Sequence, residues 1–93
     1  MNKVELVFDK KLTNLAGYDY GVSIYNEQVK GKIDLNETFE IVFPAQIKGI
    51  ASSFVQGFFE EIVVNIGLIE TGKRARIISE NEGFQEMVLA KLQ

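Results

Sequence analysis

Apolar residues at every second position open the chain: Val4, Leu6 and Phe8 alternate with Lys3, Glu5 and Val7. A period of two puts one set of side chains on a single face of an extended segment, so a strand is predicted over 3–8. Residues 10–17 have no clean period and end in Gly17, which leaves a second short strand and a loop both open. From Asp19 the spacing becomes three and four, with Val22, Tyr25 and Val29 on one side, and a helix is predicted over 19–30. Asp19 stands where it can cap the first turn, and Gly31 suits the left-handed position that ends a helix. Phe39, Ile41 and Phe43 then alternate with Thr38, Glu40 and Val42, giving a strand over 37–43 that Pro44, lacking an N–H, stops. After a turn eased by Gly49, a second helix begins at Ser52 or Ser53. Phe54, Phe58, Ile62 and Ile66 form one of its ridges, Val55, Phe59 and Val63 the next, and Gly67 ends it. Gly72-Lys73-Arg74 reads as a turn and 75–79 as a short buried strand. Asn81 and Glu82 open a last helix with Phe84, Met87, Val88 and Leu92 in one stripe and Lys91 near its negative end. Strand and helix alternate throughout. The expectation is one α/β domain over 1–93, a layered fold with a mostly parallel sheet of about four strands packed against about three helices and right-handed crossovers.

Composition narrows what such a domain can do. The chain has 93 residues, 46% hydrophobic and 25% charged, enough for one core and too few for two. A formal charge of −3 with both signs scattered gives no broad field for nucleic acid or an anionic membrane, so neither is expected as a partner. Cysteine and histidine are both absent. That removes disulfides, thiolate nucleophiles, Cys/His zinc sites and every catalytic pairing built on histidine; no enzyme activity, metal or cofactor is expected. Met1-Asn2-Lys3 leads straight into the strand pattern with no apolar leader or membrane-length apolar run, so a cytoplasmic location is expected, though a cysteine-free chain also suits secretion.

The remaining chemistry-bearing residues have plain structural readings. Lys73, Arg74 and Arg76 form a basic cluster without the glycine-rich loop and helix of a phosphate site, as expected for a solvated turn. Tyr18, Tyr20 and Tyr25 suit the edge of a core, with a partner surface as the other use. Glu60 and Glu61 are adjacent on a helix, so their side chains diverge and cannot share one bond as acid and base. Asp34, Glu37 and Glu40 lack the spacing of a calcium loop. Phe54, Phe58, Phe59, Val63, Val64 and Ile66 nearly encircle the second helix, more apolar surface than one sheet face needs; either all of it is buried or part of it meets a dimer mate or another partner.

The gapless run Ile41-Val42-Phe43-Pro44-Ala45-Gln46-Ile47-Lys48-Gly49-Ile50-Ala51-Ser52-Ser53-Phe54 resembles the STAS pattern: a hydrophobic strand, a short loop with a buried aliphatic, and an Asp-Ser-Ser-Gly start to a helix. Ile50-Ala51-Ser52-Ser53-Phe54-Val55, the long helix after it, the strand at 76–80 and the closing helix opened by Asn81 are similar to the short bacterial STAS-like domains of unknown function, in which a Ser-Phe pair opens that helix. The likeness covers 17–92. It implies an anti-sigma-factor-antagonist-like, non-enzymatic, protein-binding regulatory module, of the partner-switching kind. In that family a kinase-like ATPase phosphorylates the first serine of the motif, whose position Ser52 occupies. A phosphate there would sit among free amide donors at the positive end of the helix dipole. Phe43 and Ala51 replace the pattern's aspartates and Phe54 its glycine, which strips the polar setting from the switch. Capping of the helix by Ser52 or Ser53, worth about 1 kcal/mol, is the plain alternative. The expected contact surface is the loop at 44–50 with the first half of the helix, represented by Lys48, Gly49, Ser52, Ser53 and Gln56. The expected partner is a kinase-like ATPase, another regulator, or a second copy in a homodimer. Two other readings stay open: an inhibitor or accessory protein encoded by a phage or mobile element on the same scaffold, and a module binding a small ligand or nucleotide at the Ser52 helix start.

Overall fold

The computed structural model describes residues 2–93; Met1, with which the expected domain begins, lies outside them. The chain forms β1 (Lys3–Glu5), β2 (Asn14–Leu15), α1 (Tyr18–Ile24), β3 (Phe39–Val42), β4 (Gly49–Ile50), α2 (Ser52–Ile66), α3 (Leu68–Arg74), β5 (Ala75–Ile78) and α4 (Phe84–Leu92). Every strand pairing is parallel, in a three-stranded sheet ordered β1-β3-β5 and a two-stranded ribbon of β2 with β4. This is the layered α/β architecture expected, with five short strands in two sheets and four helices.

Alternation decides which way the sheet faces. Val4, Ile41 and Ile77 are register partners and all buried, while the flanking rows Lys3-Glu40-Arg76 and Glu5-Val42-Ile78 point the other way. On the buried side, Phe39, Ile41, Phe43 and Ala75 meet Ile24, Tyr25 and Val29, then Phe54, Phe58, Phe59 and Ile62 of α2, and Phe84, Val88 and Leu92 of α4. Phe43 is the joint, its ring centroid 6.3 Å from Phe58 on α2 and 5.1 Å from Phe84 on α4. The outer rows carry no helix, so the molecule has two layers. The Cα radius of gyration, 12.0 Å, matches the roughly 12 Å of a compact body of this length.

Three local expectations need correction, and the first helix ends as expected but in a different form. Asp19 does not cap α1: the cap position is Gly17, and no side chain bonds there. The helix runs on as a wide π-type turn over Tyr25–Val29 before Gly31, at φ 79°, releases the chain. The stretch 72–74 is not a turn but the end of α3, which Glu70 supports through Arg74 at 2.9 Å one turn on. Asn81 and Glu82 precede α4 rather than open it. Asn81 instead donates its amide to the carbonyls of Ala45 and Ile47, each at 2.9 Å, and so pins the loop after β3.

Two features fix where α2 lies. Helices α1 and α2 cross with their backbones almost touching: a Cβ at Gly21 would lie 2.8 Å from the Phe58 nitrogen, and one at Gly57 would strike the Tyr18 carbonyl. Beyond α2 the chain bends by 106° at Gly67, φ 86°, into α3. The buried Thr71 holds that bend, its hydroxyl donating to the Gly67 carbonyl at 2.7 Å. The sheet's outer edges are also guarded. The Gln28 amide makes both hydrogen bonds to the Val7 backbone, at 2.7 and 2.8 Å, and the Gln85 side chain accepts the Ile77 N–H at 3.0 Å.

Candidate functional site

The start of α2 is built by the β2–β4 ribbon. Thr13 takes the N–H groups of Lys48 and Gly49, and the Ala51 N–H donates to the Leu15 carbonyl at 2.8 Å, which aims the chain into the helix. Ala51, extended at φ −88° and ψ 153°, is the cap residue, and no side chain caps α2. The expectation that Ser52 or Ser53 caps it is therefore corrected, because both already lie inside the first turn. The Ser53 hydroxyl accepts the Gly17 N–H at 3.0 Å, tying the beginnings of α1 and α2 together. Ser52 is exposed. Lys48 is exposed as well, whereas Gly49 is half-buried beneath the Asn14 side chain, where a Cβ would collide with Oδ1. Ile47, the aliphatic of the loop, is fully buried.

Around the axis of α2, at about 100° per residue, Ser52, Gln56 and Val63 fall within about 40° of one another, with Glu60 about 40° past Gln56 and Val64 about 40° past Glu60. That strip faces away from the sheet and runs from the side of α4, which Gln56 reaches, round to the side where α1 brings Tyr18 near Glu60. Its lower half forms one wall of a groove of about 210 Å³ whose other walls are Leu68 of α3 and Leu92 of α4, with Phe59 as its floor and Gln56 and Glu60 on its rim. The Gln56 amide donates to the Lys91 carbonyl at 2.9 Å and closes the upper end against α4. Val64 is 76% exposed and Ile69, just past the bend, 74%. The apolar excess of α2 thus divides: its three phenylalanines are buried, and Val64 is left in water at the groove. Of the five residues expected to represent the contact surface, Gln56 alone lines the groove, together with Phe59, Val63 and Val64 of the apolar excess; Ser52 and Ser53 lie above it, and Lys48 and Gly49 belong to the ribbon.

The tyrosines sit at the seam of α1 and α2. Tyr18 lies beside Glu60, whose carboxylate is the main reason its phenol is held above the ordinary value. Tyr25 is buried edge-on to Phe58, at 6.0 Å between centroids. Burial first, and Glu61 second, push its phenol up to about 12. Glu61 pairs with Lys30 at 3.3 Å, so the adjacent carboxylates serve separate neighbours. The basic cluster is also occupied: Lys73 and Arg74 approach Glu70, and Arg76 donates to the Lys73 carbonyl. Among the described residues no three His, Cys, Asp or Glu side chains gather as a metal site would need, and no single helix is long and apolar enough to cross a membrane.

The α3 side of this surface is not read from the sequence, where the second helix stops at Gly67 and 72–74 is expected as a turn, with no element assigned to Leu68 and Ile69. A usable signal was present. Leu68, Thr71 and the Glu70–Arg74 pair have the spacing of one more helix, and Gly67 marks a bend as well as a stop. Comparison with protein-family models, with curated proteins and with solved structures gives no match for this chain.

Proposed function

We propose that the chain is a non-enzymatic, protein-binding regulatory module of STAS-like type that engages its partner through the outer strip of α2. The observation that carries this reading is the uncovered apolar step from Val64 to Leu68 and Ile69, laid beside a groove on an otherwise well-buried helix. Exposed apolar surface rimmed by polar groups is the usual mark of a protein contact. Groove size favours a protein over a small ligand: 210 Å³ falls short of the roughly 300–1,000 Å³ that ligand pockets occupy, and it suits one or two side chains. Partner switching fits the same face. Ser52 is exposed in line with Gln56 and Val63, so a phosphate on it would add nearly two negative charges at one end of the strip. Ser53 is exposed too, but its hydroxyl accepts the Gly17 N–H, whereas Ser52 has no such bond among the described residues, which favours Ser52 as the phosphorylated serine.

Photo-crosslinking in the source cell tests the reading, with the reactive side chain placed at Val64, at Gln56, or at the exposed Lys32 on the far loop. A discrete adduct is expected from the two strip positions and not from Lys32, with the Val64 adduct lost when Leu68→Asp is added. Equal yields at all three positions would refute a contact surface on α2.

A further inference from the structure

Glu60 is the one charged side chain lining the groove. The ion pairs of the described residues join Lys3 to Glu5, Lys30 to Glu61, and Lys73 and Arg74 to Glu70, and none reaches Glu60. The titratable side chain beside it is Tyr18, whose phenol is uncharged and held above its ordinary value mainly by Glu60. Gln56, the other polar group of the rim, is taken up by Lys91. A partner that covers this surface removes water from an unpaired carboxylate, which is unfavourable unless the partner brings a positive charge. From this we propose that the occupant is a short amphipathic segment of another protein, setting apolar side chains against Val63, Val64 and Leu68 and a Lys or Arg against Glu60. The inference rests on the protein-binding reading and adds the partner's chemistry.

Size and sign argue against other occupants. Stable dimers bury about 800 Å² per partner through roughly 20–30 residues a side. Seven residues line this groove, the scale of a peptide anchored in a groove. A second copy related by a twofold axis would present the same patch, bringing another Glu60 and no cation. An anionic bilayer is repelled by the same carboxylate. Addition of a strand has less edge to use, since Gln28 already holds Val7 just past β1 and Gln85 the Ile77 N–H of β5.

Selection from a random dodecapeptide display library on the intact chain, followed by fluorescence anisotropy of the enriched peptides, tests this. Enriched sequences are expected to carry apolar residues at helical spacing beside Lys or Arg. Glu60→Lys is expected to weaken them about tenfold or more, Glu60→Gln in the same direction but less, and exchanging the peptide's Lys for Glu to restore binding to the Glu60→Lys chain. Peptides without basic residues that bind in a Leu68-dependent way and ignore both Glu60 variants would overturn the basic chemistry while leaving the protein-binding reading intact. Absence of any enrichment that a folded Leu68→Asp chain fails to reproduce would overturn both. A dimer in sedimentation, or retention on phosphatidylcholine vesicles, that Leu68→Asp abolishes would assign the patch to a second copy or to lipid, and would equally overturn the proposal.

Discussion

Ala51 is where the start of α2 departs from what a helix ordinarily asks of its cap. The first amides of a helix have no partners within it, and a short oxygen-bearing side chain at the cap position meets one of them. Ala51 offers none, and the first turn behind it holds no acid to face the positive end of the dipole. The gap coincides with a position where the resembled pattern has aspartate. Ala51→Asp is therefore expected to stabilise the protein by about 0.5–2 kcal/mol, read as a rise in melting temperature of several degrees for a domain of this size. The gain should fade as the pH falls far enough to protonate the new carboxylate. Ser52→Ala is the control: with Ala51 at the cap position, it should leave stability nearly unchanged. A loss of about 1 kcal/mol in Ser52→Ala, with none gained in Ala51→Asp, would return the capping role to the serine. The same single-residue logic explains the difference at the serines: Ser-Ser before an apolar run looks like a cap in sequence, and only the extended backbone of Ala51 shows that the helix begins one residue earlier, with Ser52 already inside it.

At the scale of elements, what could be read from the sequence was what periodicity reports. The long helix Ser52–Ile66 with its bound at Gly67, the strand around Phe39 and Ile41, and the strand beginning at Ala75 all carry clear periods, and the structure has them at or within a residue or two of the expected limits. The ribbon of Asn14–Leu15 with Gly49–Ile50 is too short for any period to declare itself; it exists because Thr13 and Leu15 bond the chain arriving from the other sheet. Helix packing was equally invisible. Gly21 and Gly57 look like helix-weakening residues in sequence, yet they form the crossing of α1 on α2, where each faces the other's backbone. Ordinary helix pairs stand about 8–10 Å apart with side chains between them. Here a methyl group has nowhere to go. Gly57→Ala should destabilise by about 3 kcal/mol or more, the upper end of overpacking costs, because the obstacle is the Tyr18 main chain. Gly72→Ala, in α3 with nothing within 4 Å, should instead stabilise by up to about 1 kcal/mol. Urea unfolding midpoints of the two variants decide it, and a shift of the same sign in both would dismiss the backbone contact. The site depends on this crossing, since it holds the α2 strip outward and keeps Tyr18 beside Glu60.

For the molecule as a whole the question is why a parallel sheet is left open on one side. Parallel sheets are ordinarily covered on both faces because their crossover helices fall on both. In this chain the crossovers send α1 and α2 to the same face, α4 joins them there after β5, and 93 residues leave little material for a third layer once that core is formed. The sequence adapts to it: Lys3, Glu5, Glu40 and Arg76 alternate with the buried positions, so strands that belong to a parallel sheet read like those of a half-exposed antiparallel one. Neighbouring residues of β5 test the arrangement with chemistry held constant. Ile77 is 3% exposed and points into the helices; Ile78 is 42% exposed and points away. Ile77→Ala leaves a cavity among side chains that cannot fully close it and should cost about 2–5 kcal/mol. Ile78→Ala removes a residue already facing water and should cost under about 1 kcal/mol, mainly through weaker strand propensity. Unfolding in urea measures both, and an unchanged denaturant slope would show that neither variant altered the surface exposed on unfolding. Comparable losses at 77 and 78 would mean that the outer rows are covered in solution and that the two-layer description is wrong. The predicted asymmetry would mean that the sheet ends the molecule on that side.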